Sequence, residues 1–355
     1  MLIDGRALYD GNRFRGIGVY LRQLVDHLRP PSGLSVSVLV TGKTAVPAGL
    51  TAQRVIRRLS NRFAGLEHQL RLPGDLRRLE FDLFHSPSQE PPRRMDRPWV
   101  QTLHDVADHP SLAAERERWR GVAPRIRTAA VVIVPSEYAR TSVIDLMDLD
   151  PDRVYVVHHG VDPRFRPDPL MRDDSEPYVL YVSEYGPWKG YAEAFEVVAN
   201  LRSAGLPHRL KVAGQLAPWV RPLVEQLVAA AAAPERIDLL GFVSHDDLAR
   251  AYQGASALVM TSHMEGFGLP LVEAMASGVP VVAFGNTAIP EVVGEGGVIV
   301  PDGDVPAMTE EIVATLRDPA RWQALSDRGV RRAQRFDWRR NADDHIRLYL
   351  QAAAS

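Results

Sequence analysis

Two glutamates eight residues apart, Glu265 and Glu273, flank a Gly-Phe-Gly turn at 266–268. Ahead of the turn, Ala257–Met260 is an apolar run of strand length. Behind it, Pro270 suits the first turn of a helix that the pattern carries from Leu269 to Ser277. Gly278 then serves as a stop, and Val279–Val282 begins the next strand. A helix that starts on glycines offers free N–H groups and the positive end of its dipole to an anion. Glycine also lets that anion approach the backbone closely. Carboxylates repel an anion, so the two glutamates are suited to accept hydrogen bonds from hydroxyls on either side of it. The same pattern also serves as a plain tight connection between strand and helix, and these residues alone leave both readings open.

Other residue types point the same way. Only three of the 42 basic residues are lysines, Lys43, Lys189 and Lys211, so each is conspicuous. Lys189, in Trp188-Lys-Gly190, offers a compact charge to a phosphate or is a surface lysine in a turn. His104 and Asp105 directly follow the apolar strand Trp99–Leu103, and functional groups of open parallel sheets gather at strand C-terminal ends. A histidine there hydrogen-bonds a hydroxyl ligand or fills a structural place. Gly16-x-Gly18, after Asn12–Arg15, hints at a dinucleotide fingerprint, but Leu21 stands where the third glycine belongs. Asp148-Leu-Asp150 imitates a metal-binding Asp-x-Asp, yet it lies at a helix end before Pro151, and it reads as a turn. Asp302-Gly-Asp304 reads likewise.

Strands and helices alternate along the chain at βα spacing, which predicts parallel sheets. One series runs from Leu2–Asp4 to Arg153–Val157. The stretch His158–Pro177, with four prolines, breaks the rhythm. A second series opens at Tyr178–Val182 and ends in amphipathic helices near 305–317 and 319–334 and a final helix over Asn341–Ala352. Leu112–Thr128 predicts an Arg-rich helix broken near Pro124. It reads as a solvated helix, with a peripheral membrane or anionic contact as the sharper alternative. With 355 residues the chain suits two domains. It has no cysteine, which excludes disulfides and thiolate chemistry. Neither a signal peptide nor an apolar run of ~18 residues is present, so a cytoplasmic protein is expected, with contact at the inner membrane face the peripheral variant. The net charge of −2 divides into +5 over residues 1–160 and −7 over the rest.

EGFGLPLVEAMASGVPVV closely resembles the Glu-x7-Glu segment of retaining glycosyltransferases of family 4. KG at 189–190, GFVSHDDLARAYQGAS at 241–256, and NTAIPEVV followed by GGVIVPDGD resemble its surroundings, HHGVDPRF its hinge, and Phe336-Asp-Trp338 the start of its last helix. The resemblance implies an α/β fold of the GT-B class, with two Rossmann-like domains facing across a cleft. Residues 1–160, completed by a helix over 338–355 that crosses back, would form the acceptor-side domain. Residues 161–177 would be the linker and 178–337 the nucleotide-sugar domain. It places Lys189 on the donor diphosphate, Glu273 on the ribose and Glu265 and His104 near the donor sugar. The N–H groups of Phe267, Gly268 and Leu269 would hold sugar hydroxyls and phosphate, and the main chain at Phe242-Val243 the base. Gly16 and Gly18 belong to a loop over the diphosphate. Relatives commonly carry an arginine five residues before this lysine, where the chain has Glu184. A carboxylate cannot replace a guanidinium, and Arg15 is the substitute.

The implied activity is retaining transfer of a hexose from a nucleoside diphosphate sugar to an unidentified hydroxyl acceptor (a saccharide, glycolipid or small molecule), with no metal or other cofactor and no nucleic-acid partner. DGRALYDG…GIGVYLRQL with LHD leans towards bacterial mannosyltransferases of polysaccharide assembly, hence GDP-mannose as donor. A sugar-nucleotide epimerase of the same fold and a non-catalytic sugar-nucleotide-binding protein are the alternatives.

Overall fold

The computed structural model describes residues 1–8, 16–41, 46, 49–55, 72, 74–87, 91–104, 113–168, 170–171 and 175–354, apart from the side chains of Thr41, Arg54 and Val55. Arg15, Asp105 and Lys43 fall outside them, as does part of Glu67–Leu79, whose sequence predicts a helix despite Pro73. The described chain divides into two compact units, Met1–Gly160 with Asp337–Ser355, and Val161–Phe336.

Among the described residues the first unit has seven strands: β1 (Leu2–Asp4), β2 (Ser37–Thr41), β3 (Thr51–Val55), β4 (Phe84–Ser86), β5 (Trp99–Thr102), β6 (Val131–Val134) and β7 (Val154–Val156). They pair in the order β3-β2-β1-β4-β5-β6-β7, every pair parallel. Runs such as Val-Val-Ile-Val at β6 are buried at every residue, as a parallel sheet covered on both faces requires. The strand β3 runs into Gln53–Arg62, a basic stretch whose sequence is ambiguous between strand and helix.

Helix α1 (Gly16–His27) opens at Gly16, so Gly16 and Gly18 stand in its first turn rather than in the preceding loop. Helix α2 (Ala113–Ile126) runs through Pro124 without breaking. The proline lies in the last turn, where few later residues depend on its register. Trp119, Val122, Ala123 and Ile126 of α2 are buried, and its exposed face pairs Arg118 with Glu115 at 3.2 Å. Helix α3 (Glu137–Met147) starts where Ser136 Oγ accepts from the Ala139 N–H at 3.0 Å.

Among its described residues the second unit has six strands, β8 (Tyr178–Val182), β9 (Arg209–Ala213), β10 (Ile237–Gly241), β11 (Ala257–Met260), β12 (Val281–Gly285) and β13 (Val298–Pro301), in the parallel order β10-β9-β8-β11-β12-β13. Its helices are α4 (Tyr191–Ser203), α5 (Arg221–Ala230), α6 (His245–Gln253), α7 (Leu269–Ala276), α8 (Ile289–Val293), α9 (Val305–Arg317) and α10 (Pro319–Ala333). Alternate strand residues feed two cores. Leu180, Leu258, Met260 and Val281 pack on one face with α7, and Val179, Tyr181, Val259 and Phe284 on the other with α4 and α9. Phe165, from the proline-rich stretch, is buried in the first of these cores. Lys211 is occupied structurally, its ammonium 3.8 Å from the Tyr178 ring centroid.

The last helix, α11 (Trp338–Ala354), belongs to the first unit, where Trp338, His345, Leu348 and Tyr349 are buried. Among the described residues no helix is long and apolar enough to cross a membrane.

Candidate active site

In the second unit the strand order reverses between β8 and β11, which are neighbours although strands β9 and β10 and their helices separate them in sequence. Ligands of open α/β sheets bind outside the C-terminal ends of strands at such a switch point. The loop after β8 carries Lys189 and the loop after β11 carries Glu265. The two side chains meet there, Lys189 Nζ donating to Glu265 Oε1 at 2.7 Å, with 20% and 12% of the side chains exposed.

Bonds to backbone carbonyls hold the Lys189 loop against the Glu265 loop and β8. The His263 N–H donates to Trp188 O at 2.8 Å, Thr261 Oγ1–H to Gly190 O at 2.7 Å, and the Tyr181 hydroxyl to Lys189 O. Gly190 makes this approach geometrically available. Its φ is +70°, and a Cβ there would lie 2.0 Å from Thr261 O.

A second set of contacts shapes the Glu265 loop. The Glu265 N–H donates to Thr287 Oγ1 at 2.9 Å, and Thr287 Oγ1–H donates to Asn286 Oδ1 at 3.0 Å. Asn286 Nδ2 donates to Ser262 O at 2.9 Å and to Asp302 Oδ1 at 2.7 Å. His263 bridges Asp302 Oδ1 at 2.9 Å and Glu193 Oε1 at 3.2 Å. Burial alone would lower the His263 pKa, but its bonds to Glu193 and Asp302 outweigh that and raise it. Thr287 holds φ at +46°, a strained value for a β-branched residue, and its two hydrogen bonds explain why it stays there.

Helix α7 follows Gly268, whose φ is +91° and whose missing side chain leaves the helix start without a side-chain cap. Phe267 is buried against Phe336, ring centroids 5.5 Å apart. The helix ends as the pattern predicts, the Gly278 N–H bonding Met275 O at 3.1 Å and the Val279 N–H bonding Ala274 O at 2.9 Å. One turn in, Glu273 Oε2 accepts from the Tyr252 hydroxyl at 2.9 Å. Burial pushes the Glu273 carboxyl up to about 7, with the Tyr252 bond pulling the other way and Asp162 adding to the rise. At the end of β10, Phe242 is 51% exposed while Val243 packs on the α7 core. Glu184 is half-buried near Tyr191, whose hydroxyl pKa rises through burial and then through that carboxylate.

In the first unit His104 is buried just beyond β5. It stands edge-on to the Tyr20 ring of α1, centroids 4.4 Å apart, and 5.5 Å from His159. Burial lowers His104 to about 4, so the ring is neutral, while a hydrogen bond to the Pro87 carbonyl pulls the other way. Its Nε2 is buried and has no hydrogen-bond partner among the described residues, so the bond to Pro87 falls to Nδ1–H and Nε2 keeps a bare lone pair. Gly18 lies two residues from Tyr20 in the same helix, whereas Gly16 is exposed.

Two family descriptions match the chain, Glycosyltransferase Family 4 over residues 14–165 and Glycosyl transferases group 1 over residues 164–335. A D-inositol 3-phosphate glycosyltransferase of Frankia alni is 32% identical over 287 residues, covering 73% of this chain and 70% of that one. The chain belongs to glycosyltransferase family 4. An O-antigen chain mannosyltransferase B of Escherichia coli is 28% identical over 304 residues, 80% of this family 4 chain and 78% of its own. Anabaena HepE, solved in complex with UDP-glucose, superposes with a TM-score of 0.76 at 20% identity, covering 99% of this chain and 98% of that one. The fold is GT-B, two Rossmann-like units each with a parallel sheet.

Within this family 4 chain the structure joins Lys189 to Glu265 and sets both beside the start of α7. It groups His104 with α1. Sequence reading missed the partners that fix these groups, among them His263, Asp302, Tyr252 and Tyr20. Asp302 was visible only as half of a turn, and Asn286 and Thr287 only inside the matched Asn-Thr-Ala-Ile-Pro stretch.

Proposed function

We propose that this family 4 enzyme transfers a hexose, mannose being the first candidate, from a nucleoside diphosphate sugar to an acceptor hydroxyl with retention of configuration, in bacterial polysaccharide, glycolipid or glycoside synthesis. The observation that carries the reading is the 2.7 Å Lys189–Glu265 pair beside the uncapped start of α7. An ammonium and the positive end of the α7 dipole together suit a leaving diphosphate, whose charge grows in the transition state. In this reading Glu265 neutralises part of the lysine charge and accepts from ring hydroxyls, and Glu273 accepts from the ribose. Phe242 and Val243 border the base, and the bare Nε2 of His104 accepts from a sugar hydroxyl. The mannose preference is supported by the E. coli relative's description, and the nucleotide sugar by the UDP-glucose of HepE.

The same donors take the part that a divalent ion would play, so the reaction is proposed to need no metal. Turnover surviving excess EDTA is the expected result, and loss of activity that Mg²⁺ or Mn²⁺ restores overturns this part. For donor and reaction, thermal shift with GDP-mannose and UDP-glucose should select one. Mass spectrometry should then find its sugar on an acceptor, with free nucleotide released. Donor consumed without acceptor or free nucleotide would instead reveal the epimerase.

A further inference from the structure

A row of buried polar groups runs through the first unit and reaches His104. The His345 Nδ1 lies 2.8 Å from Asn341 O, and its Nε2 lies 2.8 Å from the Tyr20 hydroxyl. The Tyr20 hydroxyl is 3.1 Å from Thr102 Oγ1, which is 2.8 Å from His85 Nε2. His85 Nδ1 is 2.8 Å from the Tyr349 hydroxyl. Six residues from α1, β4, β5 and α11 are joined, five by side chains and Asn341 by its carbonyl.

The end of the row sets its direction. A backbone carbonyl only accepts, so His345 carries its proton on Nδ1. His345 is fully buried, and burial holds it neutral at about 4, which leaves Nε2 bare. Tyr20 must therefore donate to His345, and its oxygen accepts from Thr102. Thr102, having given its proton, accepts from His85 Nε2–H. Burial lowers His85 as well, with His345 and His104 adding to the effect, so its Nδ1 is bare and takes the Tyr349 proton. Every donor points the same way, from Tyr349 to the Asn341 carbonyl.

The geometry points to Tyr20 and His345 as positioning residues for His104: the one-way chain fixes the Tyr20 ring, and that ring, 4.4 Å away and edge-on, sets where the bare Nε2 of His104 stands. His159 completes a triangle of rings, 5.5 Å from His104 and 5.1 Å from Tyr20, and it is itself stacked on Trp338 of α11 at 5.5 Å. The last helix of the chain thus reaches the candidate sugar contact through two routes, one hydrogen-bonded and one aromatic. The inference rests on the reading that His104 touches the donor sugar.

Nitrogen-15 NMR of the histidine rings tests the chain in the wild-type protein. Nδ1–H at His345 and His104 and Nε2–H at His85 are expected, and the opposite tautomer at His345 or His85 overturns it. Kinetics test the positioning. Tyr20→Phe keeps the ring and cuts the chain, and it should lower kcat/KM by about tenfold. In a His104→Ala background the same change should have an effect within about twofold, because its route of action is gone. His345→Gln, which keeps an acceptor near the place of Nε2, should recover most of the activity that His345→Leu loses. An equal Tyr20→Phe cost in both backgrounds, or none in either, would overturn the positioning role alone. A His104→Ala enzyme with wild-type kinetics would overturn the sugar-contact reading instead, and the positioning role with it.

Discussion

Lys189 is the residue whose loss separates binding from chemistry most sharply. A charge directed at a leaving group gains most where negative charge grows, so Lys189→Ala should lower kcat by about 10²-fold while KM for the donor rises less. The substitution also leaves Glu265 without its 2.7 Å partner, and Glu265→Gln in the same background should relieve part of that cost. Steady-state kinetics of the two single variants and the double variant decide this, and wild-type kinetics for Lys189→Ala would remove the lysine from the site. Glu273 makes a prediction about pH. Its carboxyl is raised from 4.5 to about 7 in the folded protein. Between those values the native state holds a proton that the unfolded chain releases, so stability falls as pH rises through the window. The protonated carboxyl carries no penalty below about 4.5, and the full penalty of a buried charge is reached above about 7. Its size is at most about 3 kcal/mol. Glu273→Gln keeps an oxygen for the Tyr252 hydroxyl and carries no charge. The variant should match wild type in urea unfolding near pH 5, be more stable near pH 8, and bind donor more weakly. Equal stability of the two proteins at both pH values would show that the carboxyl is not raised.

Two glycines hold the elements that carry these residues in place. Gly190 and Gly268 have φ of +70° and +91°, a region that costs other residues about 1–2 kcal/mol. At Gly190 a methyl group would also meet Thr261 O at 2.0 Å, so backbone would have to move. At Gly268 it would meet the far end of Leu271 at 2.7 Å, which a rotamer change can relieve. Gly190→Ala should therefore cost more stability than Gly268→Ala, lowering Tm by at least about 4 °C, and the reverse order would contradict the packing. Gly268→Ala should instead weaken donor binding, since the methyl group sits at the uncapped helix start. The same positions show what was legible beforehand. The helix over Leu269, its glycine stop and the strands on either side follow from period and punctuation, because each is set by neighbours in sequence. Lys189 and Glu265 could be named individually, yet their pairing spans 76 positions and depends on which strands become neighbours. Tyr20 and His345 were invisible as a pair for the same reason, being 325 positions apart on two helices. The misplaced start of α1 has a local cause. Glycines at 16 and 18 read as a loop, while the packing of Tyr20, Leu21 and Leu24 extends the helix over them.

At the scale of the whole molecule, the stereochemistry of the product depends on whether any carboxylate can act as a nucleophile. Double displacement requires one held free beneath the anomeric carbon, as in retaining glycosidases. Beside the start of α7, Glu265 is engaged by Lys189 and Glu273 by Tyr252, and Asp302 is engaged by His263 and Asn286. Each of these contacts lowers the availability of the carboxylate it involves. Asp105, next to His104, is the remaining candidate from the sequence and lies outside the described residues. With these three carboxylates engaged, we propose front-side displacement, in which the departing phosphate oxygen takes the acceptor proton on the face it leaves. The product should keep the donor's anomeric configuration, as read from anomeric couplings by NMR. Glu265→Gln should weaken donor positioning and still leave measurable turnover, because no bond to its oxygen forms along this route. Mass spectrometry of enzyme quenched during turnover should find no sugar attached to protein. An adduct on Glu265 or Asp105 would establish double displacement, and an inverted product would rule out both retaining routes.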